Sequence, residues 1–311
     1  MSVLKALAHY GYAPFMILGL NGLGFYIMVS GASWVWLGAL LVVAVATAFV
    51  AERLNPFYDD WNHDHGDTPA NVIHAIVYEI SNINAMALVP VIAWLTPWDG
   101  IWPTSWPLFA QFILALVLAD FALMMLHFAS HRIPVLWRLH AVHHGVPRLY
   151  GFNVLVRHPL HQTVDLALGT APLAIAGMPL EVAVLLGLAI SIQLVVQHSN
   201  VDYALGPFRP HLSIGRLHHL HHVNWGKEGD VNFGLFLTVW DRILGTLQLE
   251  PPRAIKANDM GIDEAPAFPM GYIDQLLFPF RYVPGTKYEP KSAQPEAADT
   301  PPPSDEKRSA A

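Results

Sequence analysis

Thirteen of the seventeen histidines fall between His127 and His222, most of them in three clusters. The clusters read HFASH (His127, His131), HAVHH (His140, His143, His144) and HHLHH (His218, His221, His222, with His219 between). Imidazole is the commonest biological metal ligand near neutral pH, and residues three or four apart share one face of a helix. Each cluster therefore offers two or three ring nitrogens to one point. That is more ligand than a single ion needs, and it predicts a two-metal centre. Helix neighbours lie about 100° apart around the axis, so an adjacent pair such as His143 and His144 can serve different ions. His219 falls off the stripe and is left out. His198, in VVQHSN, joins the set if the chain returns it to the clustered side. In VRHPLH, Pro159 fixes a bend beside His158, and His158 is preferred to His161. His9, His63, His65, His74 and His211 show no partner pattern.

Asp120 precedes His127 by two helical turns on the same face. A carboxylate buried in a membrane span is unfavourable without a partner. The expected partner is the ring N–H of a metal-bound histidine, whose tautomer and orientation it would fix. The other acidic residues inside spans are Glu79 and Asp165. Cysteine is absent, which excludes disulfides, thiolate zinc sites and a built-in iron–sulfur cluster. Haem uses one or two axial ligands, far fewer than this chain offers. A transporter would carry its ligands near the midplane of several spans, whereas these clusters lie at span ends. A nitrogen-rich, thiolate-free set favours iron in a catalytic di-metal centre. The alternative of another class is a non-catalytic metal-binding or metal-transport membrane protein.

The elements that must position these residues are membrane helices. The 311 residues are 53% hydrophobic and 13% charged, about half the charge of a typical soluble domain. Apolar runs of about 20 residues, enough to cross ~30 Å of hydrocarbon, fall near 13–30, 34–51, 72–95 and 107–126. A longer run, Val164–Val196, is broken at Gly177, Met178 and Pro179 and reads as a helical hairpin, either fully spanning or re-entrant. With the N-terminus inside, span parity brings all the clusters to one side. Arg132, Arg138, Arg148 and Arg157 lie on that side too, as the positive-inside rule prefers. Trp94, Trp98, Trp102 and Trp106 fit an aromatic belt on the opposite face. Residues 203–249 read as interfacial helices. The expected organisation is a membrane-embedded domain over 1–285, with its histidine core at 107–250, and a disordered tail at 286–311. No basic stripe with interleaved aromatics suggests nucleic-acid binding.

The pattern resembles the fatty acid hydroxylase/sterol desaturase superfamily of membrane di-iron oxygenases. The resemblance runs from about Asp120 to Leu249. It rests on ADFALMMLHFASH, LWRLHAVHHGVP, NVLVRHPLHQ, His198, LHHLHH and NFGLFLTVWDRILGTL. It implies an all-α membrane protein: about four full transmembrane helices and a hairpin, under a cytosolic histidine-rich cap. It also implies two iron ions held by His127, His131, His140, His143, His144, His198, His218, His221 and His222, with His158 added. Two departures stand out: Phe128 replaces the usual Arg, and His161 replaces the usual Glu after His-Pro, which leaves the role of His161 open. The implied activity is O2-dependent hydroxylation of an unactivated C–H bond in a lipid, with desaturation as the alternative outcome. Electrons would come from a ferredoxin or cytochrome-b5-like carrier with its NAD(P)H reductase, and Arg132, Arg138 and Arg148 are candidates for its docking patch. No ER-retention signal or fused carrier domain is seen, which points to a bacterial inner membrane with the histidines on the cytoplasmic side.

Overall fold

The structure, a computed structural model, describes residues 2–95 and 100–288. Among them there is no β-strand, only isolated bridges joining loops. The first helical run starts well before the expected residue 13. Ser2 caps it by accepting from the Lys5 N–H. It runs as α1 (Val3–Pro14), passes through a π-helical stretch, Phe15–Leu20, and continues as α2 (Asn21–Val29). Pro14 has no N–H to give, so the helix continues past it with rearranged hydrogen bonding. Then come α3 (Val35–Leu54), α4 (Thr68–Leu95) and α5 (Leu108–Ser130).

Val3–Val29, Val35–Leu54, Leu108–Ser130 and Leu180–His198 are each long and apolar enough to cross a membrane. α4 has the length as well, at 28 residues. The outward faces are greasy: Leu18, Tyr26, Val42, Ile76, Ile80, Phe109 and Phe121 are all exposed. A surface of this kind is unfavourable in water and matched to lipid. The chain is an integral membrane protein.

The expected hairpin is present. α7 (Pro159–Gly169) and α8 (Ala171–Ile175) form one arm, Gly177 turns the chain at φ +94°, and α9 (Leu180–His198) returns. Its tip meets the connection before α5, where the Ile101 and Trp102 N–H groups both donate to the Ala176 carbonyl at 2.9 Å. That connection lies at the end of α5 opposite His127, so the hairpin crosses the full bundle. α9 is the central helix, with Val182, Leu185, Leu186, Ala189 and Ile192 buried. It packs on α2, α3, α4 and α5. Glycine lets α2 come close to it: a Cβ on Gly24 would lie 2.4 Å from Leu188 Cδ2.

Over the end where α5 and α9 finish sit α6 (Pro134–His144), α10 (Arg216–His221), α11 (Val239–Leu244) and α12 (Tyr272–Arg281). Three expectations need correcting here. Residues 203–249 are mostly loop rather than interfacial helix, since positive-φ glycines such as Gly215 (+59°) and Gly245 (+72°) limit α10 and α11 to six residues each. Trp102 does not face lipid; it is buried and its Nε1–H donates to Gln111 Oε1 at 2.9 Å. Trp94 and Trp106 are exposed, whereas Trp98 lies outside the described residues. Arg148 is no docking residue: it is buried, with its Nε–H on Asp67 Oδ1 at 3.0 Å and an Nη1–H on the Trp61 carbonyl at 3.0 Å. The expected tail lies outside the described residues beyond Tyr288.

Candidate metal centre

Nine histidines converge at this end in two groups. His127, His131, His140, His144 and His221 form one; His143, His198, His218 and His222 form the other. In each group one ring nitrogen per residue lies within 4.8 Å of all the others. α5 delivers the first pair at its last turn. Pro134, pre-set for a first helical turn, starts α6 so that its last turn carries the next three. α9 ends on His198, and Gly215 opens α10, which supplies His218 and His221, with His222 at its C-cap. The adjacent pairs divide between the groups as helix geometry requires: His143 from His144, and His221 from His222. The groups abut where His144 and His222 stack, ring centroids 4.4 Å apart.

Their outer nitrogens are held by acceptors. The Nδ1–H groups of His127, His143 and His221 donate to the carbonyls of Phe233 (2.9 Å), Val156 (3.1 Å) and Val231 (2.7 Å). A carbonyl can only accept, so these rings carry their proton on Nδ1 and present a bare Nε2 lone pair inward. His198 Nδ1–H donates to Asn153 Oδ1 at 3.3 Å, and the amide's orientation is fixed because its Nδ2 donates to the Arg148 carbonyl. His131 Nδ1 faces Asp230 Oδ1 at 3.3 Å. The Nε2 atoms of His127, His198 and His221 are buried with no hydrogen-bond partner. Orphaned buried polar atoms are rare and call for an explanation.

A metal ion supplies one. Two imidazoles at right angles around an ion, each bonded at about 2.1 Å, would have nitrogens about 3 Å apart. The Nε2 atoms of His140 and His144 lie 3.1 Å apart, those of His131 and His144 3.2 Å, and those of His218 and His222 3.1 Å. The residues fit two ions bound by nitrogen alone, one by five imidazoles and one by four. Burial pushes the pKa values of His140, His143, His144, His218 and His222 well below the usual 6.5, and neighbouring histidines push the same way. Burial holds His221 at about 4. These rings are neutral at pH 7, as ligands must be.

The remaining candidates lie elsewhere. His158 is outside both groups: it caps α7 by accepting from the Leu160 N–H, and its Nε2–H donates to the Leu276 carbonyl at 3.2 Å. His161 is closer, 4.8 Å from His140 between ring centroids, but both its nitrogens are engaged, by Ser130 Oγ (3.0 Å) and Asp165 Oδ2 (3.2 Å). His219 packs between Phe57 and Trp61. Asp120 touches no histidine. It accepts from the Phe236 N–H (2.8 Å), the Leu237 N–H (3.3 Å) and Trp240 Nε1–H (2.9 Å). Asp241 accepts from the Phe233 and Gly234 N–H groups at 2.8 Å each. The two carboxylates pin the loop whose Phe233 carbonyl holds His127, so Asp120 acts through that loop. Of the groups that orient the rings, sequence reasoning missed Asn153 and Asp230. Neither carries a periodic signal; only the Asn-Phe-Gly motif hinted that this loop mattered.

A cavity of about 750 Å³ opens among α3, α4, α7, α8 and α9 and ends on His127, His140, His143 and His218. It therefore touches both histidine groups. Its walls are mostly apolar, with Leu123, Leu166, Met178 and Leu188 among them. Glu79, Asn82, Arg157 and Gln162 are polar residues of the same lining. A smaller recess of about 310 Å³ reaches His131, His144 and His221 from the other side, past Lys227 and Asp230.

Residues 112–246 match the family model of the fatty acid hydroxylases. The chain is 33% identical over 271 residues to an ornithine lipid hydroxylase of Rhizobium tropici, covering 84% of this chain and 80% of that one. The chain belongs to the fatty acid hydroxylase family. It is also 28% identical to an alkylglycerol monooxygenase of Danio rerio over 159 residues, 51% of this chain and 33% of the relative. With a sphinganine C4-monooxygenase of Arabidopsis thaliana it shares 29% identity over 140 residues, 44% of this chain and 53% of the other. No solved structure matches the chain. The matched region begins within α5 and closes at Thr246, so it contains all nine converging histidines.

Proposed function

We propose that this protein is a di-iron oxygenase that hydroxylates a membrane lipid, using O2 and two electrons from outside. The observation that carries the reading is the apolar cavity, walled by membrane-crossing helices, that ends on both histidine groups. A lipid moving laterally in the bilayer can enter it without crossing water. Iron held by the nine histidines would supply the O2 chemistry that attacks an unactivated C–H bond. The chain's own contribution is placement. Phe233, Val156 and Val231 lock the rings through their carbonyls. Leu123, Leu166, Met178 and Leu188 keep a substrate tail in place and water out, which protects a strong oxidant from side reactions. Carrying no cysteine, these 311 residues call for a separate electron carrier of ferredoxin or cytochrome-b5 type. The recess past Lys227 and Asp230 gives electrons and protons a route to the first group that avoids the lipid cavity. We place this end on the cytoplasmic side of a bacterial inner membrane, since Arg132, Arg138, Arg148 and Arg157 all lie there.

The test is lipid mass spectrometry on membranes with and without the protein. A lipid gaining one oxygen atom is the expected result. A lipid losing two hydrogens would make the enzyme a desaturase, and no lipid change with tightly held zinc would make it a metal-binding protein. Metal analysis of the purified protein should find two irons per chain.

A further inference from the structure

α12 carries an apolar strip that none of the described residues covers, and it lies beyond the matched residues 112–246. Successive residues turn about 100° around a helix, which sorts the side chains of α12 into three strips. Gln275, Phe278 and Pro279 are buried, with Phe278 packed among Ala141, Ile262, Phe268 and Tyr282. Ile273, Leu277 and Phe280 form the second strip, Ile273 being 64% and Phe280 63% exposed. Asp274 and Arg281 form the third, joined by a 3.1 Å ion pair. Two histidines outside the metal groups fix where this helix lies. His74 Nε2–H donates to Gln275 Oε1 at 2.8 Å, and His158 Nε2–H donates to the Leu276 carbonyl at 3.2 Å. The Gln275 amide cannot be reversed, because its Nε2 donates to the Pro269 carbonyl. α12 therefore crosses the second turn of α4 and the start of α7. On α4 the outward apolar row begins at that level, with Val72, Ile73, Ile76 and Ile80 exposed. On α7, exposed Leu160 follows His158 by two residues, and the Phe280 ring is 6.1 Å from that of His158.

We infer that α12 is an interfacial helix, lying in the head-group layer of the bilayer with Ile273, Leu277 and Phe280 against the acyl chains and Asp274 and Arg281 towards water. The partner of its open strip is the lipid surface, because that strip adjoins the lipid-facing rows of α4 and α7 at their edge. A helix with one apolar and one charged strip binds a membrane in this way, with the apolar side sunk to the boundary between head groups and acyl chains. This sets the depth of the cavity. Tyr78 and Gln162 line it, and each stands four residues, a rise of about 6 Å, beyond the histidine that holds α12. The α4 and α7 walls of the cavity thus begin one helical turn beneath the membrane surface, on the acyl side.

The chain has no cysteine, so single cysteines can be spin-labelled without background. Ile273→Cys, Phe280→Cys and Asp274→Cys are made in the full-length protein and reconstituted into vesicles of phosphatidylcholine and phosphatidylglycerol, with Ile80→Cys as the lipid reference. EPR power saturation then compares collisions with O2, which concentrates among acyl chains, and with a water-soluble nickel chelate. Labels at 273 and 280 should favour O2, as the label at 80 does, and the label at 274 should favour nickel. Nickel reaching 273 and 280 as readily as 274 would put the strip in water and overturn the inference. Shielding of 273 and 280 from both reagents, with dipolar broadening between labels, would put a second copy of the chain on the strip and overturn it as well. Unchanged iron content and Tm in detergent show that each labelled variant is folded. The unaltered protein gives an independent measurement: a photoreactive diazirine dissolved in the bilayer should mark residues 273–280 along with α4, and marking of α4 alone would equally remove the inference. Neither measurement depends on turnover or on which lipid is the substrate.

Discussion

A histidine in this site is defined by what holds its far side. His127, His143 and His221 each have a backbone carbonyl on Nδ1, which forces the lone pair inward. His158 has the opposite arrangement, with its Nδ1 occupied in capping α7 and its Nε2 on Leu276. The difference predicts contrasting variants. His143→Ala and His221→Ala each remove a ligand from a different group, and metal analysis should find iron falling from two per chain to about one or less. His158→Ala should keep full iron and lose about 1 kcal/mol of stability with the N-cap. Equal iron loss in all three would show that His158 is also a ligand. Eight of the nine converging positions stood out in the sequence because ligand spacing on a helix is periodic and periodicity is visible in a single chain; the ninth, His198, followed from the parity of the spans. Sequence reasoning preferred His158 to His161, whereas the structure puts neither in the two groups and brings His161 the nearer, 4.8 Å from His140 between ring centroids. Both stand beside the same Pro159, and only the packing of α6 against α7 decides which ring approaches.

At the level of elements, the site is a set of helix ends braced by one loop. The segment 232–246 has no regular structure before α11, yet two buried carboxylates, Asp120 from α5 and its own Asp241 on α11, hold its backbone at Phe233, Gly234 and Phe236 and its Trp240 side chain. Asn232 adds to this from a positive φ of +57°, donating to the Leu217 and Gln248 carbonyls. The cluster spacing and the hairpin break at Gly177 were legible in the sequence, but the partner of Asp120 was not. That partner is 116 residues away at Phe236, in a stretch whose backbone amides leave no mark on residue type. Asp120→Asn keeps the shape but replaces one of its two acceptor oxygens by an NH2, which then faces either the Phe236 N–H or the Leu237 and Trp240 N–H groups, donor against donor. Bonds to a charged acceptor contribute about 1.5–3 kcal/mol each, so the loop should loosen and carry the Phe233 carbonyl off His127. Competition with a chelator should show iron held about ten-fold more weakly, at the lower end of what a group orienting a ligand is worth. Wild-type affinity in this variant would mean that the loop holds its place without the carboxylate.

For the whole molecule, a neutral nitrogen core and a lipid cavity share one frame and can be perturbed separately. The core is sensitive to acid. Burial lowers the folded-state pKa values of His140, His143, His144, His218 and His222, and holds His221 near 4, while an unfolded chain titrates near 6.5. Between these values the unfolded state binds more protons. Stability is therefore complete above about pH 6.5 and is lost as pH falls towards 4; thermal unfolding of metal-free protein should give a lower Tm at pH 5 than at pH 7.5. The cavity answers to shape instead. Gly187, on α9, lines it, and a Cβ built there meets nothing within 4 Å. Gly187→Leu therefore directs a side chain at the space proposed for the lipid from a Cβ that meets no neighbour. Replacing a glycine inside a helix also favours folding by up to about 1 kcal/mol. The variant should keep full iron and an equal or higher Tm, yet lose hydroxylation of long acyl substrates by ten-fold or more, on the order of the discrimination one misfitted methylene group provides in an apolar pocket. Shorter acyl chains should be spared. Iron content, Tm and a chain-length series measured on one preparation separate this outcome from simple damage, and full activity on long chains would show that the lipid reaches the histidines by another path.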